Sequence, residues 1–469
     1  MSHRFHPSIL REYDIRGTVG KTLGPDDAYA LGRSFAARVI GAGRSCVAVG
    51  YDGRLSSPML EEALVSGLCA SGVDVQRIGL GPTPMLYFAT ASLPEVQDGI
   101  QITGSHNPPD QNGFKIVFRG GPFFGPDILD LGRLAAEGGW VQGSGTAKVV
   151  DIMDAYIDRL LAGLDAIPPD AIDCLAIGWD AGNGAAGPVI ERLCARISGR
   201  LPARLPGKHV LLHTHVDGTF PSHHPDPSVD ANLADLRHAV AQGRLDFGLA
   251  FDGDGDRLGV VDAKGRALAG DQLLMLFAQD VLKRQPGAAV IADIKASGAL
   301  FERVRALGGQ PIMWKSGHSH IKSKMKETGA LLGGEVTGHV FFADDYYGFD
   351  DALYAAVRLI AAVIRLDRTV SELLDAMPVM FNTPELRFPV DDVRKFAVVD
   401  EVRTRLAANN ADMATIDGVR VNTPDGWWLL RASNTEAMLT ARVESGSEEG
   451  LTDLLANLDA QLAASGVSR

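Results

Sequence analysis

The sequence predicts an α/β protein made of several domains. Its 469 residues exceed what one ordinary hydrophobic core holds, and length alone suggests about three domains. Short β-type runs alternate with amphipathic, helix-like stretches along most of the chain. Hydrophobic residues make up 46% of the sequence and charged residues 22%. This composition is typical of globular proteins and differs from that of disordered or fibrous ones.

The net charge of the chain argues against two classes of binding partner. The chain carries 45 Lys and Arg against 58 Asp and Glu, a net charge of −13. Such a surface repels nucleic acids and anionic lipids, so we expect neither as a partner. The most apolar helix-like stretch is interrupted by Arg358 and Arg365, and the N-terminal residues show no secretory pattern. The four cysteines lack the spacing of metal sites or disulfide frameworks, which favours a reducing compartment. Together these observations predict a cytoplasmic location.

The first predicted domain covers residues 1–150. Apolar runs at 46–50 and 99–103 predict buried strands, and an amphipathic stretch at 58–70 predicts a helix between them. Residues 113–118 alternate strictly, so this third strand should present Lys115 on the face opposite its bulky apolar side chains.

Two further α/β domains are predicted at 151–265 and 266–378. The first of these closes with an apolar strand at 245–251. The second begins with a helix at 272–282, continues through a strand at 289–293 and ends in helices.

The last segment, 379–469, has a different character. Thr-Pro-Asp-Gly at 423–426 lies between two β-type runs and predicts a hairpin, and a closing helix is predicted at 448–462. The proline-containing stretch 378–384 is the expected hinge into this terminal domain.

The first loop whose residues could take part in a reaction is Thr-Gly-Ser-His-Asn-Pro at 103–108, between two predicted strands. A tight turn there would hold Ser105 outward, while the preceding glycine lets the backbone approach a phosphate closely. His106 could hold phosphate oxygens, and Lys115 could reach the same place. Taken alone, a serine in this setting is more often a turn former than a nucleophile.

The second loop is Asp-Gly-Asp-Gly-Asp-Arg, directly after an apolar strand. Its carboxylates, Asp252, Asp254 and Asp256, can surround one hard cation through oxygen ligands. It is not an EF-hand, because Arg257 and Ala263 stand where that loop needs glycine and glutamate. Three carboxylates leave positions open, which favours Mg²⁺ bridging to phosphate over a plain acidic turn.

The third loop is Gly-Glu-Val-Thr-Gly-His at 334–339. In an extended loop Glu335 and Thr337 point the same way, and such a pair can hold two neighbouring hydroxyls of a sugar. Taken alone, a Glu or His in such a loop is more often part of a solvated surface.

The fourth loop is Arg-Ala-Ser-Asn-Thr at 431–435. Arg431 offers a forked donor, and Ser433, Asn434 and Thr435 offer neutral ones, which together suit a phosphate. An ordinary polar turn is the alternative.

These four loops, in this order, resemble the α-D-phosphohexomutase family over nearly the whole chain. The resemblance implies three similar α/β domains with mixed sheets, plus a smaller α+β C-terminal domain, around a central cleft. It also implies an isomerase that moves a phosphoryl group within a hexose phosphate. The glycine at 104, Asn434 and the motif Phe-Pro-Ser-His-His-Pro-Asp-Pro at 220–227 resemble the bacterial phosphomannomutase/phosphoglucomutase subgroup.

The resemblance assigns a role to each motif residue. Ser105 would be phosphorylated in the active enzyme, and Mg²⁺ would be bound by Ser105, Asp252, Asp254 and Asp256. Sugar hydroxyls would be bound by Glu335 and Thr337, with His339 beside them, although Thr337 stands where serine is commoner. The non-reacting phosphate would be held by Arg431, Ser433, Asn434 and Thr435. The further cleft residues implied are Tyr13, Arg16, Lys115, Arg257, Lys295 and His318.

The implied reaction begins when a hydroxyl of glucose or mannose 1-phosphate attacks the phosphate on Ser105. A hexose 1,6-bisphosphate forms, turns over in the cleft and returns its other phosphate to the serine; glucose 1,6-bisphosphate would act as activator. Mg²⁺, Arg257 and Lys115 would neutralise charge on the transferring group. Lys115, His106 and His318 are all candidates for proton transfer.

Several alternatives stay open at this point. A nucleotide-driven kinase is disfavoured because no Walker or kinase glycine loop is present, and a phosphatase has no need of a second phosphate clasp. A phosphoglucosamine mutase and a non-catalytic sugar-phosphate-binding relative remain as alternatives. The sequence fixes neither the preference between glucose and mannose phosphates nor the oligomeric state.

Overall fold

The strands form four separate sheets in the computed structural model, which describes residues 2–199, 209–433 and 437–468. Three sheets are mixed, with both parallel and antiparallel neighbours, and the fourth is antiparallel throughout its described pairs. The predicted fold class, three α/β domains and an α+β C-terminal domain, is therefore confirmed.

The first domain contains a seven-stranded sheet in the order β1-β5-β4-β2-β3-β7, with β6 beside β5. Its strands are β1 (Ile15–Thr18), β2 (Cys46–Tyr51), β3 (Asp74–Leu80), β4 (Gly99–Ile102), β5 (Gln111–Phe118), β6 (Gly121–Pro122) and β7 (Ala147–Val149). Its helices are α1 (Pro25–Gly41), α2 (Ser57–Ala70), α3 (Thr83–Ser92) and α4 (Pro126–Glu137).

The second domain contains a five-stranded sheet in the order β12-β11-β10-β8-β9. Its helices are α5 (Met153–Leu161), α6 (Pro169–Asp173), α7 (Gly187–Gly199) and α8 (Ala234–Gly243). Its strands are β8 (Ile177–Asp180), β9 (His209–Leu212), β10 (Phe247–Phe251), β11 (Leu258–Asp262) and β12 (Ala267–Leu268).

The third domain contains a four-stranded sheet in the order β14-β13-β15-β16. Its helices are α9 (Gly270–Arg284), α10 (Gly298–Ala306), α11 (His318–Thr328), α12 (Ala352–Leu366) and α13 (Val370–Asp375). Its strands are β13 (Ala289–Asp293), β14 (Gln310–Trp314), β15 (Leu332–Gly334) and β16 (Val340–Phe342).

The fourth domain contains an antiparallel sheet in the order β17-β22-β21-β20-β19, with β18 also beside β22. The predicted hairpin joins β20 to β21, with Thr423 opposite Gly426. Its strands are β17 (Phe381–Asn382), β18 (Leu386–Pro389), β19 (Met413–Ala414), β20 (Val419–Thr423), β21 (Gly426–Ala432) and β22 (Met438–Ser445), and its helices are α14 (Asp392–Ala408) and α15 (Glu448–Ala463).

The first three domains repeat one unit, as the family resemblance implied, although no repeat is visible in the residues themselves. In each, three parallel strands alternate with two helices, and a fourth strand returns antiparallel beside the third. The loop between the last two strands of each unit is one of the predicted chemical loops. These are the serine loop (103–110, β4 to β5), the aspartate loop (252–257, β10 to β11) and the glutamate loop (335–339, β15 to β16).

The apolar cores show how the domains are joined. One continuous core includes the inner face of the first domain and most of the second and third, from Met85 through Trp179 to Phe342. Helix α12 is buried in this core, and its Arg358 is neutralised by Asp344, whose Oδ2 lies 2.7 Å from Nη2.

The fourth domain has a core of its own. It meets the third domain through a small apolar cluster of Ile294, Trp427 and Leu429 and through polar contacts. In the polar contacts, the buried Arg420 donates hydrogen bonds to the carbonyls of Ile294 and Ala296, both at 2.7 Å. Within the described residues, no helix combines the length and apolarity needed to cross a membrane.

Candidate active site

The serine, aspartate and glutamate loops meet at one cavity of about 290 Å³ between the domains. Backbone contacts join the loops directly: Arg257 bridges to His339, and the amide of Leu258 donates to the carbonyl of Gly338 at 3.0 Å. Most residues predicted for the cleft line this cavity, namely Tyr13, Arg16, Ser105, His106, Lys115, Arg257, Lys295, His318, Glu335, Thr337, His339, Arg431 and Ser433.

Ser105 lies deeper than the sequence suggested. Instead of projecting outward, its side chain is 2% exposed, because the aspartate loop packs over it and Gly253 leaves no Cβ to meet its carbonyl. Its backbone has a φ of +50° and its amide donates to Thr103 Oγ1 at 2.8 Å. The Ser105 hydroxyl donates to Asp252 Oδ2 at 2.9 Å, and His106 Nδ1 lies 3.2 Å from Ser105 Oγ.

Arg54 anchors the serine loop, and sequence reasoning missed it. Its guanidinium is 1% exposed and donates hydrogen bonds to four backbone carbonyls of this segment. The accepting carbonyls are those of Ser105 (2.7 Å), Asn107 (2.7 Å), Pro108 (2.6 Å) and Gln111 (2.9 Å). The signal was available, since Arg54 follows a strand end, where α/β proteins place functional side chains.

Asp52 completes this anchor from the same strand end. One of its oxygens accepts from Arg54 Nε at 3.2 Å, from Thr103 Oγ1 at 2.8 Å and from the amide of Gly104 at 3.2 Å. The other oxygen accepts from Ser57 Oγ at 2.6 Å. A buried ion pair whose remaining polar atoms are all bonded makes a rigid support for Ser105.

The aspartate loop has the donor set that a hard divalent cation requires. Asp252, Asp254 and Asp256 are fully buried, and one oxygen of each lies within 4.8 Å of the other two. Among the described residues, Asp254 Oδ1 has no hydrogen-bond partner although it is buried. A buried carboxylate oxygen without a donor costs free energy unless a cation satisfies it, so these residues fit a metal ion such as Mg²⁺.

The three carboxylates differ in their protonation energetics. Burial, together with the two neighbouring carboxylates, raises the pKa of Asp252 well above its usual value. Burial acts in the same direction on Asp256, but Lys115 and His339 outweigh it and lower the pKa well below the usual value. Lys115 Nζ donates to Asp254 Oδ2 at 2.7 Å and also to Asp256.

Thr83 is a second residue that the sequence did not indicate. Its hydroxyl donates to Asp254 Oδ2 at 2.5 Å, and its amide donates to the Asp254 carbonyl at 2.8 Å. Thr83 begins α3 of the first domain, so this contact ties the first domain to the aspartate loop of the second.

The glutamate loop is organised around His339. Its Nδ1 lies 3.2 Å from Glu335 Oε2 and 3.4 Å from Thr337 Oγ1, and its Nε2 lies 3.2 Å from Asp256 Oδ1. Burial lowers the pKa of His339, but Asp256 and Glu335 outweigh it and raise the value to about 9. The predicted pair Glu335 and Thr337 is therefore brought together through one imidazole.

Gly317 places α11 against this loop. Its φ of +117° is the region that favours glycine, and a Cβ here would meet the Tyr13 ring at 2.6 Å. Its amide donates to Glu335 Oε1 at 2.7 Å, and Tyr13 donates its hydroxyl proton to the Ser316 carbonyl at 3.1 Å. His318, the next residue, has its ring centroid 5.8 Å from that of His339.

The remaining predicted cations lie on the cleft walls. Arg16 donates to the Gly104 carbonyl at 2.9 Å and pairs with Asp14, while Lys295 Nζ lies 3.7 Å from Asp293. Burial and the nearby Lys322 lower the pKa of His318 well below its usual value.

The fourth domain reaches the cleft through Arg431. Its Nη2 lies 3.0 Å from Asp417 Oδ2, and this carboxylate also accepts from the amide of Ser316 in the third domain at 3.1 Å. Ser433 lines the same cavity. Asn434 and Thr435, the other two predicted clasp residues, lie outside the described residues.

Comparison with known proteins places this arrangement in a family. Family models described as phosphoglucomutase/phosphomannomutase match four consecutive ranges: α/β/α domain I at 7–131, domain II at 154–265, domain III at 269–381 and the C-terminal domain at 385–461. The chain belongs to this family. The resemblance inferred from the four motifs is thereby confirmed, while the boundaries predicted at 150, 265 and 378 stay predictions.

Relatives match over nearly their whole length. The phosphomannomutase/phosphoglucomutase of Pseudomonas aeruginosa is 43% identical over 444 residues, which are 95% of this chain and 93% of the relative. A phosphoglucomutase of Neisseria gonorrhoeae is 44% identical over 94% of both chains. A crystal structure of a phosphoglucomutase/phosphomannomutase family protein from Burkholderia thailandensis superposes with a TM-score of 0.90 at 41% identity, covering 98% of each chain.

Proposed function

We propose that this family member interconverts hexose 1-phosphates and hexose 6-phosphates of glucose and mannose. The observation that carries the proposal is that the groups needed for such a transfer meet around Ser105. Its hydroxyl oxygen lies 2.9 Å from Asp252, in a buried carboxylate cluster, and faces a cavity shared with the glutamate loop and Arg431. A nucleophile, a cation-binding cluster, a sugar-binding loop and a phosphate clasp are the parts that such a transfer requires.

The transfer exchanges one P–O bond for another. A sugar hydroxyl oxygen attacks the phosphorus carried on Ser105, the new P–O bond forms as the bond to Ser105 Oγ breaks, and the hydroxyl proton passes to a base. The product is a hexose 1,6-bisphosphate and a free serine. After the intermediate turns over, Ser105 attacks its other phosphate, and the sugar leaves as the isomeric monophosphate.

The chain's own residues position and neutralise the group in transfer. Arg257 and Lys115 lie on the cavity wall next to Ser105, where they can counter negative charge on the phosphoryl oxygens. His106, whose Nδ1 lies 3.2 Å from Ser105 Oγ, is placed to exchange a proton with that oxygen. Lys115 and His318 remain the other candidates for proton transfer.

Asp252, Asp254, Asp256 and the oxygen on Ser105 would hold Mg²⁺. When bound, the ion would supply positive charge that stabilises the phosphoryl oxygens during transfer. Glucose 1,6-bisphosphate would act as activator, since it can restore the phosphate on Ser105 whenever an intermediate escapes.

The bisphosphate intermediate would bind in two orientations, so the same sugar-binding and phosphate-binding residues must accept either end of it. Glu335 and Thr337, with His339, would bind the sugar hydroxyls in either orientation. Arg431 and Ser433, together with Asn434 and Thr435, would hold whichever phosphate is not reacting. Tyr13, Arg16 and Lys295 line the same cavity and would contact the phosphosugar there. The cytoplasmic location predicted from the sequence stays a prediction.

A coupled assay with Mg²⁺ and a trace of glucose 1,6-bisphosphate tests the proposal. We would compare kcat/KM for glucose 1-phosphate, mannose 1-phosphate and glucosamine 1-phosphate. Similar values for the first two sugars, with little activity on the third, are expected. Dominant activity on glucosamine 1-phosphate would assign the chain to that reaction instead, and no activity on any hexose phosphate would indicate a binding protein.

A further inference from the structure

A second cluster of metal-ligating side chains lies in the second domain, outside the cleft cavity. Asp180, His213 and His223 each place one ligand atom within 4.8 Å of the other two. Asp180 is the last residue of β8, and the two histidines belong to the long connection between β9 and α8. None of the three lines the active-site cavity.

His223 faces a hydrogen-bond acceptor on both ring nitrogens. Its Nδ1 lies 3.0 Å from the His224 carbonyl oxygen, and its Nε2 lies 3.0 Å from Asp180 Oδ2. A neutral imidazole has one N–H only. If Nδ1–H donates to the carbonyl, the Nε2 lone pair points at a carboxylate, and a positive charge must lie between them, either a second proton or a metal ion.

The pattern at His223 is the one that metal-bound histidines adopt. Such histidines donate the N–H that does not face the metal to a carbonyl or carboxylate, which fixes the tautomer and the ring orientation. Asp180 is likewise held in place, because it is fully buried and its Oδ1 accepts from the amide of Gly182 at 2.9 Å. Its Oδ2 is left to face His223.

His213 and Asp235 complete the surroundings. The rings of His213 and His223 have centroids 5.4 Å apart and an interplanar angle of 78°, so they approach edge to face. His213 Nε2 lies 3.0 Å from Asp235 Oδ2, whose side chain is 56% exposed. Two imidazoles with one buried carboxylate, and a second carboxylate at the rim, form a set that suits Zn²⁺ and similar transition-metal ions better than Mg²⁺.

We propose that Asp180, His213 and His223 bind one transition-metal ion, Zn²⁺ or a chemically similar divalent ion. The ion fastens the 213–226 connection to the end of β8. The consequence reaches the serine loop, because this connection packs against its anchor: the Phe220 ring centroid lies 5.2 Å from the Arg54 guanidinium carbon. A Cβ on Gly218 would lie 2.5 Å from the Gly53 carbonyl, so the two segments are in direct contact.

The test is a metal titration of the full chain. The protein is stripped with a chelator and then held in excess Mg²⁺, so that the cleft carboxylates are occupied by the ion they prefer. Zn²⁺ is added, and bound ions per chain and the unfolding temperature are measured. Co²⁺, added in a parallel titration, reports imidazole ligation through its visible absorption.

The proposal predicts one tightly bound Zn²⁺ per chain and a higher unfolding temperature in its presence. His223→Ala and His213→Ala should each weaken that binding at least about tenfold and remove the thermal shift. His238→Ala, which changes an exposed histidine on α8, is the matched control and should behave like the wild type.

Two results would overturn the site. One is the absence of tight Zn²⁺ binding under excess Mg²⁺, which would assign His223 and Asp180 to an imidazolium–carboxylate ion pair. The other is binding of equal affinity in the wild type and in both histidine variants, which would place the ion elsewhere. If His223→Ala fails to fold, His213→Ala decides the question, since the His213 side chain is 23% exposed and its removal leaves the Asp180–His223 contact intact.

Discussion

The serine loop and the aspartate loop occupy the same position in two copies of one structural unit, yet they are held in opposite ways. The serine loop and the first residue of β5 turn four backbone carbonyls inward toward the guanidinium of Arg54, which comes from another loop. The aspartate loop turns amides inward instead: Asp252 Oδ1 accepts from the amides of Asp256 and Arg257, at 3.0 and 3.1 Å. One loop is gathered around an external cation and the other around its own first carboxylate.

This difference matches what each loop presents to the cleft. Drawing carbonyls onto Arg54 keeps their negative ends away from Ser105, where an anionic phosphoryl group is proposed to be carried. Drawing amides onto Asp252 Oδ1 keeps their positive ends away from the other carboxylate oxygens of the loop, among which Asp254 Oδ1 has no hydrogen-bond donor within the described residues. The serine loop is held by a cation and is proposed to carry an anionic phosphoryl group, whereas the aspartate loop is held by a carboxylate and is proposed to bind a cation. In each loop the supporting group draws away the backbone dipoles that would repel the proposed partner.

The largest expected effect is the loss of turnover in Ser105→Ala, which should leave the backbone support of the serine loop unchanged. Ser105→Ala removes only the hydroxyl, while all four carbonyl contacts to Arg54 are made by backbone atoms and remain. We expect kcat to fall by roughly 10⁴-fold or more, as for other nucleophile deletions, with an unchanged unfolding temperature. Steady-state kinetics and thermal unfolding measure both quantities, and near-normal turnover would remove Ser105 from its proposed role.

The second prediction breaks the external support. Arg54→Ala leaves Asp52 buried without its cation and four carbonyls without a donor, which should cost about 3–5 kcal/mol of stability. Arg257→Ala is the comparison, because its guanidinium lies 3.9 Å from Asp252, is partly exposed and supports no carbonyls of its own loop. We expect Arg257→Ala to lower kcat with little change in unfolding temperature. Equal stability losses in the two variants would contradict the distinction between the loops.

The third prediction concerns Thr83, a neutral support of the aspartate loop that comes from the first domain. Thr83→Val keeps the side-chain shape but removes the hydroxyl that donates to Asp254 Oδ2. The Mg²⁺ concentration for half-maximal activity should rise about 10- to 100-fold, as for other residues that orient a metal ligand, with kcat nearly restored at saturating Mg²⁺. Thr90→Val is the control, since that hydroxyl donates only to the Tyr87 carbonyl. An equal Mg²⁺ requirement in both variants would mean that the Thr83 hydroxyl does not orient Asp254 for the ion.

The smallest expected effect tests the aromatic face behind Arg54. Phe220→Leu keeps an apolar side chain but removes the ring against which the guanidinium packs. The loss should be about 1–2 kcal/mol of stability, the magnitude of a partly buried cation–π contact, with KM unchanged. Phe396→Leu is the comparison, because Lys395 Nζ lies 5.2 Å from the centroid of a ring that is 53% exposed; an exposed cation–π contact is weaker, so stability should change by less. A Phe220 variant indistinguishable from that comparison would show that Arg54 holds the serine loop without this ring.

Sequence reasoning found the chemical loops but not what supports them. Each loop carries an unusual motif of closely spaced polar residues, such as three aspartates at alternate positions, so its chemistry can be inferred from local spacing. Arg54 acts on carbonyls 51 to 57 residues further along the chain, and no local pattern encodes such a partner. The depth of Ser105 was missed for the same reason, because the covering residue, Gly253, belongs to another domain.

Only the family resemblance implied that the first three domains are similar, since the three units share strand order rather than residues. One exception is the carboxylate at the end of the first strand of each unit: Asp52, Asp180 and Asp293. Asp52 belongs to the anchor of the serine loop, whereas Asp293 accepts from Ser316 at 3.1 Å beside the cleft residue Lys295. These contacts depend on the loops that each unit adds, which only the folded chain brings together.

The separate core of the fourth domain bears on how this cleft can be engineered. Because that domain meets the third through only a small apolar cluster, Ile294 with Trp427 and Leu429, and some hydrogen bonds, a segment exchanged from a relative needs to preserve that cluster and a few polar contacts. Arg420 and Glu444 carry most of them, the latter accepting from Ser297 and the amide of Gly298 at 2.9 Å. The proposed phosphate clasp and the proposed phosphoryl-transfer residues thus lie on parts that a chimaera can recombine, with the junction in the predicted hinge at 378–384.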